Sequence, residues 1–218
     1  MKFSRAKLAI IIFTAIVVID QVVKIWIKTH FYLGEDVRVL PWFHLLFIEN
    51  NGMAFGMELG SKLFLTLFRI ALVAWLIWYI VKISDIRHIA TGYFVSLALI
   101  IAGAAGNIFD CLFYGLIFNN PYPPEVAVMF PAGGGYAPLF FGRVVDMLYF
   151  PLFTFTWPSW IPGVGGREFL FFQPVFNIAD SAICIGVGLL IFFYSKYILT
   201  PTALRRRAGE IDNPQPEQ

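Results

Sequence analysis

Charge is what this chain has least of. Asp, Glu, Lys and Arg make up 14% of its 218 residues, against about 25% in soluble domains. Hydrophobic residues make up 59%, with 24 Phe, 9 Tyr and 6 Trp. So few charges cannot dress that much apolar surface for water, which excludes an ordinary soluble domain and leaves lipid as the solvent for much of the chain. Cysteine is nearly absent too. Cys111 and Cys184 sit in apolar surroundings without metal or redox spacing, which excludes a disulfide framework. The formal net charge is +2 and no long basic stripe is present, so no nucleic-acid partner is expected. His30, His44 and His88 are too scattered to form one metal site, and there is no internal repeat.

What is present is a set of four long apolar runs. Segments at about 7–27, 63–81, 89–109 and 177–199 have the length and apolarity of transmembrane helices. Lys2, Arg5 and Lys7 look like the start of a signal peptide, but no small-x-small cleavage site follows and Asp20 and Lys24 continue the helical pattern. The segment is therefore expected to stay as an anchor. Lys2, Arg5 and Lys7, then Lys82 and Arg87, then Lys196 and Arg205 to Arg207 place both termini and the short middle turn on the cytoplasmic side. The two long connections, about 28–62 and 111–176, then lie outside. Residues 38–49 in the first are aromatic and aliphatic but broken by Pro41, which suits short edge strands at the membrane surface. The second holds Asn119-Asn-Pro-Tyr-Pro-Pro124, Gly133-Gly-Gly135 and a Trp/Phe/Pro-rich stretch through Pro162, and reads as a loop with interfacial aromatics. The expected architecture is one membrane domain over residues 1–199, with an all-α core of four transmembrane helices and a long second outer loop. A polar cytoplasmic tail over 200–218 follows and is expected to be disordered.

Charges inside spans are costly and mark function or pairing. At 1.5 Å per residue, Asp20 and Lys24 lie roughly 20 and 26 Å above Lys7, Arg69 about 20 Å above Lys82, Asp110 about 32 Å above Ile89 and Asp180 about 24 Å above Lys196. In a hydrocarbon core about 30 Å thick, all of these fall in the outer half or at its edge. The helices thus deliver ionisable groups to one layer, which suits a polar site roofed by the outer loops. Several of the groups have ordinary structural explanations. Asp20 and Lys24 are spaced for an i, i+4 ion pair, and Arg69 can snorkel to head groups. Ala98, Ala102 and Gly106, like Ala182 and Gly186, suit close helix packing.

The remaining aspartates are harder to explain that way. Asn107-Ile-Phe-Asp110 closes the third span and Asn177-Ile-Ala-Asp180 opens the fourth, each placing an amide and a carboxylate on one face at i, i+3. Asn177 has the alternative of a helix cap, with Asp180 favouring the first turn. Against it, a charge-free run from Ser181 to Ser195 follows, and a cap needs no carboxylate at that depth. Asp146 is flanked by apolar residues in Gly142-Arg-Val-Val-Asp-Met-Leu-Tyr-Phe150, and its alternative to a functional role is a salt bridge with Arg143.

At these residues the chain resembles the signal peptidase II family, the lipoprotein signal peptidases, which are intramembrane aspartyl proteases. Five blocks carry the resemblance in order: Asp20-Gln-Val-Val-Lys24, Asn50-Asn-Gly-Met-Ala-Phe-Gly56, Gly106-Asn-Ile-Phe-Asp110, Val144-Val-Asp146 and Phe176-Asn-Ile-Ala-Asp-Ser181. Each block is short, but their joint order across four spans is specific. The resemblance implies that Asp146 and Asp180 form a catalytic dyad near the extracytoplasmic face of the bacterial inner membrane. It implies that Asn50, Asn107, Asp110 and Asn177 line the site, and that Asp20, beside Lys24, is structural. The implied substrate is a prolipoprotein carrying a diacylglyceryl group on its lipobox cysteine, cut just before that cysteine. A small β-rich extracytoplasmic cradle and a surface helix would be added to the four spans. No metal or cofactor is implied, the partners are substrate and membrane lipids, and a monomer is expected. The chain departs from the family at two places. Cys111 stands where many members carry arginine after the acid matching Asp110, with Arg143 a candidate to supply that charge, and 35 residues separate Asp110 from Asp146, a long insert.

Two other readings stay open from the residues alone. Asp110, Asp146 and Asp180 could hold a divalent ion for lipid phosphoryl chemistry, although no set of Lys and Arg surrounds them for phosphate. Alternatively, the acids, Asp20 and Asp180 among them, could line an ion path in a non-enzymatic four-span carrier.

Overall fold

Between Arg5 and His30 there is neither glycine nor proline to interrupt the backbone ladder, and the whole stretch forms one helix, α1 (Arg5–His30). It is followed by β1 (Asp36–Leu40), β2 (Phe43–Asn50), α2 (Leu59–Ile83), α3 (Thr91–Phe109), a π-helical turn (Asp110–Tyr114), α4 (Gly115–Ile117), β3 (Val144–Tyr149), β4 (Phe153–Thr156), β5 (Glu168–Phe171), β6 (Val175–Phe176), α5 (Ile178–Phe193) and α6 (Pro201–Arg207). The computed structural model describes residues 5–50, 59–86 and 88–209, with the side chains of 59–61 left aside. Lys2, Arg87, residues 51–56 of the second matching block and the tail beyond 209 lie outside the described residues.

Three helical stretches, Arg5–His30, Lys62–Ile83 and Thr91–Ile117, are long and apolar enough to cross a membrane. The expected fourth span is shorter than the sequence suggested. α5 is apolar but has 16 residues, or about 24 Å of helix, because the backbone leaves the helix at Tyr194 and tightens into a 3-10 turn at Ser195–Tyr197.

The chain packs as two compact units, the first made of Met1–Ile19, Thr66–Ile108 and Ala179–Gln218, the second of Asp20–Leu65 and Phe109–Ile178. In the first unit, Tyr79, Ile83, Ile86, Ile89, Tyr93, Phe94, Leu97 and Leu204 form a buried cluster. Tyr79 and Tyr93 share a hydroxyl hydrogen bond of 2.9 Å. Ala98, Ala102 and Ala182 are buried, as close packing requires, and α5 approaches α3 closely: a Cβ on Gly186 would stand 2.7 Å from the Ser96 carbonyl oxygen. The expected disorder after Thr200 does not hold for its first residues. The Thr200 hydroxyl accepts from Ala203 N at 3.2 Å, Pro201 opens the helix, and Leu204 is buried. Arg205 donates to both carboxylate oxygens of Asp85 at 2.8 and 3.0 Å, which holds that carboxyl below its usual range.

The second unit is built around an antiparallel sheet in the order β1-β2-β3-β6. Its core joins Ile27 and Phe31 to Phe47, Tyr114, Phe118, Ala127, Val145 and Met147. β1 is the exposed edge strand and Pro41 sits in the turn after it. β2, by contrast, is no edge: its eight residues pair with β1 on one side and β3 on the other. The stretch read as a second loop contains four strands. β3 escaped recognition because its first four residues are all buried, so it lacks the period-2 alternation that marks a half-buried strand. Among the described residues 31–50 and 118–177 no helix forms; residues 51–58, which also belong to the outer loops from which the surface helix was expected, lie outside the described residues.

Candidate active site

Asp146 lies in the middle of β3, opposite Ile48 of β2. Val145 and Met147 beside it are part of the core, so strand alternation turns Asp146 to the opposite face, where it is nonetheless 2% exposed. A carboxylate so placed needs donors. Asn177 supplies one: its Nδ2 donates to Asp146 Oδ1 at 2.6 Å and also approaches the Val145 carbonyl oxygen at 3.3 Å. Asn177 is itself fully buried and occupies the single position between β6 and α5, so the strand fixes its backbone from one side and the helix from the other.

Asp180, in the first turn of α5, is half-buried. Its Oδ1 accepts from Asn107 Nδ2, on α3, at 2.8 Å. A Cβ at Gly103, one helical turn before Asn107, would collide with the Ala179 carbonyl oxygen and crowd Ile183. The glycine therefore permits the close helix approach that brings the Asn107 amide to Asp180. Each amide thus reaches a carboxylate other than its i, i+3 neighbour. Asn107 serves Asp180 and Asn177 serves Asp146.

Asp110 goes elsewhere. It begins the π-helical turn, and its carboxylate is held by side chains of α1. It is completely buried, with Lys24 Nζ at 2.7 Å from Oδ2, Gln21 Nε2 at 2.8 Å from Oδ1, and Val145 N at 3.4 Å from Oδ2. Lys24 also holds Asp20 at 2.9 Å, the expected i, i+4 pair. Tyr114 donates to Gln21 Oε1 at 3.0 Å. Burying three charges is tolerable only when each is paired and hydrogen-bonded, and here the cluster ties α1 to the π-helical turn and to the backbone next to Asp146. With both oxygens already engaged, Asp110 is poorly placed to serve a metal ion, as the divalent-ion reading required.

Arg143 is not the partner of Asp146. Its guanidinium donates to Glu49 at 2.9 Å and to Asn120 Oδ1 at 3.1 Å, and lies 5.1 Å from the Tyr136 ring centroid. The backbone N of Arg143 donates to the Tyr136 hydroxyl at 2.7 Å, and burial pushes that phenol above its usual pKa range. Glu49 also pairs with Lys28, whose ammonium is surrounded by the rings of Phe47, Phe118 and Tyr136. Cys111, at the position of the missing arginine, is buried. Behind it a Cβ on Gly142 would strike the Asp110 carbonyl oxygen and stand 3.1 Å from that of Cys111. Asn50 ends β2 opposite Val144 and is exposed. Neither Cys111 nor Cys184 forms a disulfide.

Sequence reasoning passed over Gln21, Lys28, Glu49 and Tyr136. A signal for two of them exists. Lys28 continues the Asp20/Lys24 stripe by one more i, i+4 step. Glu49 falls two residues after the core residue Phe47, so an alternating strand carries a charge where apolar residues belong.

A family model described as Signal peptidase (SPase) II matches residues 12–196. The lipoprotein signal peptidase of Porphyromonas gingivalis is 48% identical over 197 residues, which cover 90% of this chain and 87% of that one. That of Amoebophilus asiaticus is 37% identical over 182 residues, 80% of this chain and 72% of its own. A solved bacterial membrane enzyme, obtained by the in meso method at 1.9 Å resolution, matches with a TM-score of 0.59 and 27% identity over 84% of this chain and 89% of that one. A second, at 2.3 Å, has a TM-score of 0.58 at 24% identity, covers 94% and 93%, and shares the fold. This chain belongs to the signal peptidase II family.

Proposed function

We propose that this chain is a lipoprotein signal peptidase that removes the signal peptide from diacylglyceryl-modified prolipoproteins, with Asp146 and Asp180 as its catalytic dyad. The observation that carries the dyad is the parallel treatment of the two carboxylates. Each accepts from an asparagine amide carried by a neighbouring element, Asn177 on Asp146 and Asn107 on Asp180. Asp110 and Asp20 are instead drawn into an ion cluster with Lys24, which gives them a supporting role.

Two carboxylates acting on one peptide bond share a proton and titrate as a coupled pair. The ionised member takes a proton from water as the water oxygen attacks the scissile carbonyl carbon, and the protonated member gives its proton to the carbonyl oxygen. The tetrahedral gem-diol then collapses. The acid formed in the first step protonates the leaving nitrogen, the C–N bond breaks, and the other carboxylate recovers a proton from one gem-diol hydroxyl. One acid and one carboxylate remain, as at the start. No metal or cofactor enters these steps. Asn107 and Asn177 keep the carboxylates oriented throughout, and Asn50 and Arg143 are assigned to the lining of the substrate site.

In this reading the spans and outer segments of residues 1–199 act as one protease in the bacterial inner membrane, with four crossings, both termini cytoplasmic and the dyad near the extracytoplasmic face. The signal helix of the substrate enters from the bilayer with its acyl chains still in lipid, and the enzyme works as a monomer. The test is cleavage by the purified protein of one lipoprotein precursor with and without its diacylglyceryl group. The expected result is a product beginning at the lipidated cysteine from the modified precursor and none from the unmodified one. Equal cleavage of both, or of neither, would contradict the assignment.

A further inference from the structure

The β4–β5 hairpin is a two-stranded sheet separate from the four-stranded one. A lone hairpin is marginal in water. Its register pairs Phe153 with Phe171, Thr154 with Leu170, Phe155 with Phe169 and Thr156 with Glu168. Residues directly opposite share a face, so one face is entirely aromatic and the other carries Thr154, Thr156, Glu168 and Leu170. The rings form a continuous sheet. Phe153 stacks on Phe171 at 4.8 Å, Phe155 lies 5.2 Å from Phe169, and Trp157 extends the row at 5.0 Å from Phe155.

This face is only partly covered by the protein. Phe153 is 54% exposed and Phe171 43%, while Trp160 at the hairpin tip reaches 78%. Phe172, at the exit, is also exposed, and holds φ at 67°, a left-handed conformation that a glycine would adopt without strain. Clustered, exposed rings on an ordered surface mark a contact site, Trp settles at head-group level, and an apolar face of Trp and Phe opposite a polar one lies at the boundary between head groups and acyl chains. The chain keeps the hairpin within reach of the start of an apolar helix. Phe171 is seven residues from Ile178, the first residue of the apolar helix α5, and seven residues span at most about 25 Å.

We propose that the β4–β5 hairpin rests with its aromatic face in the membrane interface, a lipid contact made without crossing the bilayer. Phospholipid occupies the face formed by Phe153, Phe155, Trp157, Phe169 and Phe171, and the Thr154, Thr156 and Glu168 face stays in water. The contact does not depend on the identity of the dyad.

The experiment uses the full chain in phosphatidylcholine liposomes without substrate. Phe153→Cys and Thr154→Cys are each made on a Cys184→Ser background and labelled with a polarity-sensitive fluorophore, with Phe171→Cys as a second probe of the aromatic face. Positions 153 and 171 should show blue-shifted emission, quenched several-fold more strongly by nitroxide-bearing lipid than by iodide, and position 154 the reverse. Equal access of iodide to both faces would overturn the proposal. So would shielding of positions 153 and 171 from both quenchers, because protein rather than lipid would then cover the rings.

Discussion

The Asn177 amide donates to the Asp146 carboxylate at 2.6 Å, with Asn177 fully buried and Asp146 2% exposed. In that setting the asparagine fixes one oxygen of the carboxylate and thereby the direction of the other. A hydrogen bond to a charged group contributes about 1.5–3 kcal/mol. With Asp146 in the proposed dyad, Asn177→Ala is therefore expected to lower kcat by roughly 10- to 100-fold with KM nearly unchanged, the pattern of a positioning residue. A steady-state comparison on one lipidated precursor checks this. A rise in KM at constant kcat would place Asn177 in substrate binding instead.

Lys24 holds two carboxylates, Asp20 and Asp110, with no exposure on any of the three above 1%. Lys24→Met strands both, and breaking a buried pair from one side costs about 3–5 kcal/mol. Asp110→Asn should cost less, since Lys24 keeps Asp20 and the amide can still accept from Val145 N. Thermal unfolding in detergent should rank wild type above Asp110→Asn and Asp110→Asn above Lys24→Met. The reverse order would mean that the cluster is not the brace described.

Glu49 bridges Lys28 and Arg143, and its two partners differ in burial: Lys28 is 2% exposed and Arg143 32%. Glu49→Gln leaves Lys28 buried without its counter-charge and is expected to destabilise by about 3 kcal/mol. Arg143→Ala, removing a partner that water already reaches, should cost about 1 kcal/mol or less. Equal losses in unfolding experiments would show that the two ion pairs are equivalent.

Gly186 faces the Ser96 carbonyl oxygen, where a Cβ would stand at 2.7 Å. Gly186→Ala should lower stability by about 1–3 kcal/mol through overpacking between α3 and α5, whereas Gly188→Ala, which meets nothing within 4 Å, should be neutral or stabilising by helix propensity. A matched pair of melting curves decides it.

Much of this was legible in the sequence because membrane helices announce themselves by length and apolarity, and a charge among them stands out. Asp20 and Lys24 were readable as a pair from spacing alone. Spacing failed at Asp110, whose partners Lys24 and Gln21 belong to another helix, a long-range contact that local spacing does not encode. It is silent for β3, because a strand buried on both faces shows no alternation to mark Asp146 as a strand residue. The link between Arg143 and Glu49 joins residues far apart in the chain, and no local pattern encodes it. The short helix after Thr200 had its cap and proline in plain view; what hid it was the polar composition around the single buried Leu204.

The proposed role of Asp146 and Asp180 in hydrolysis is tested most directly by Asp146→Asn and Asp180→Asn, each purified, shown to melt as the wild type does, and assayed on one diacylglyceryl-modified precursor. Neither variant should release detectable signal peptide. Wild-type cleavage by either one would contradict the account.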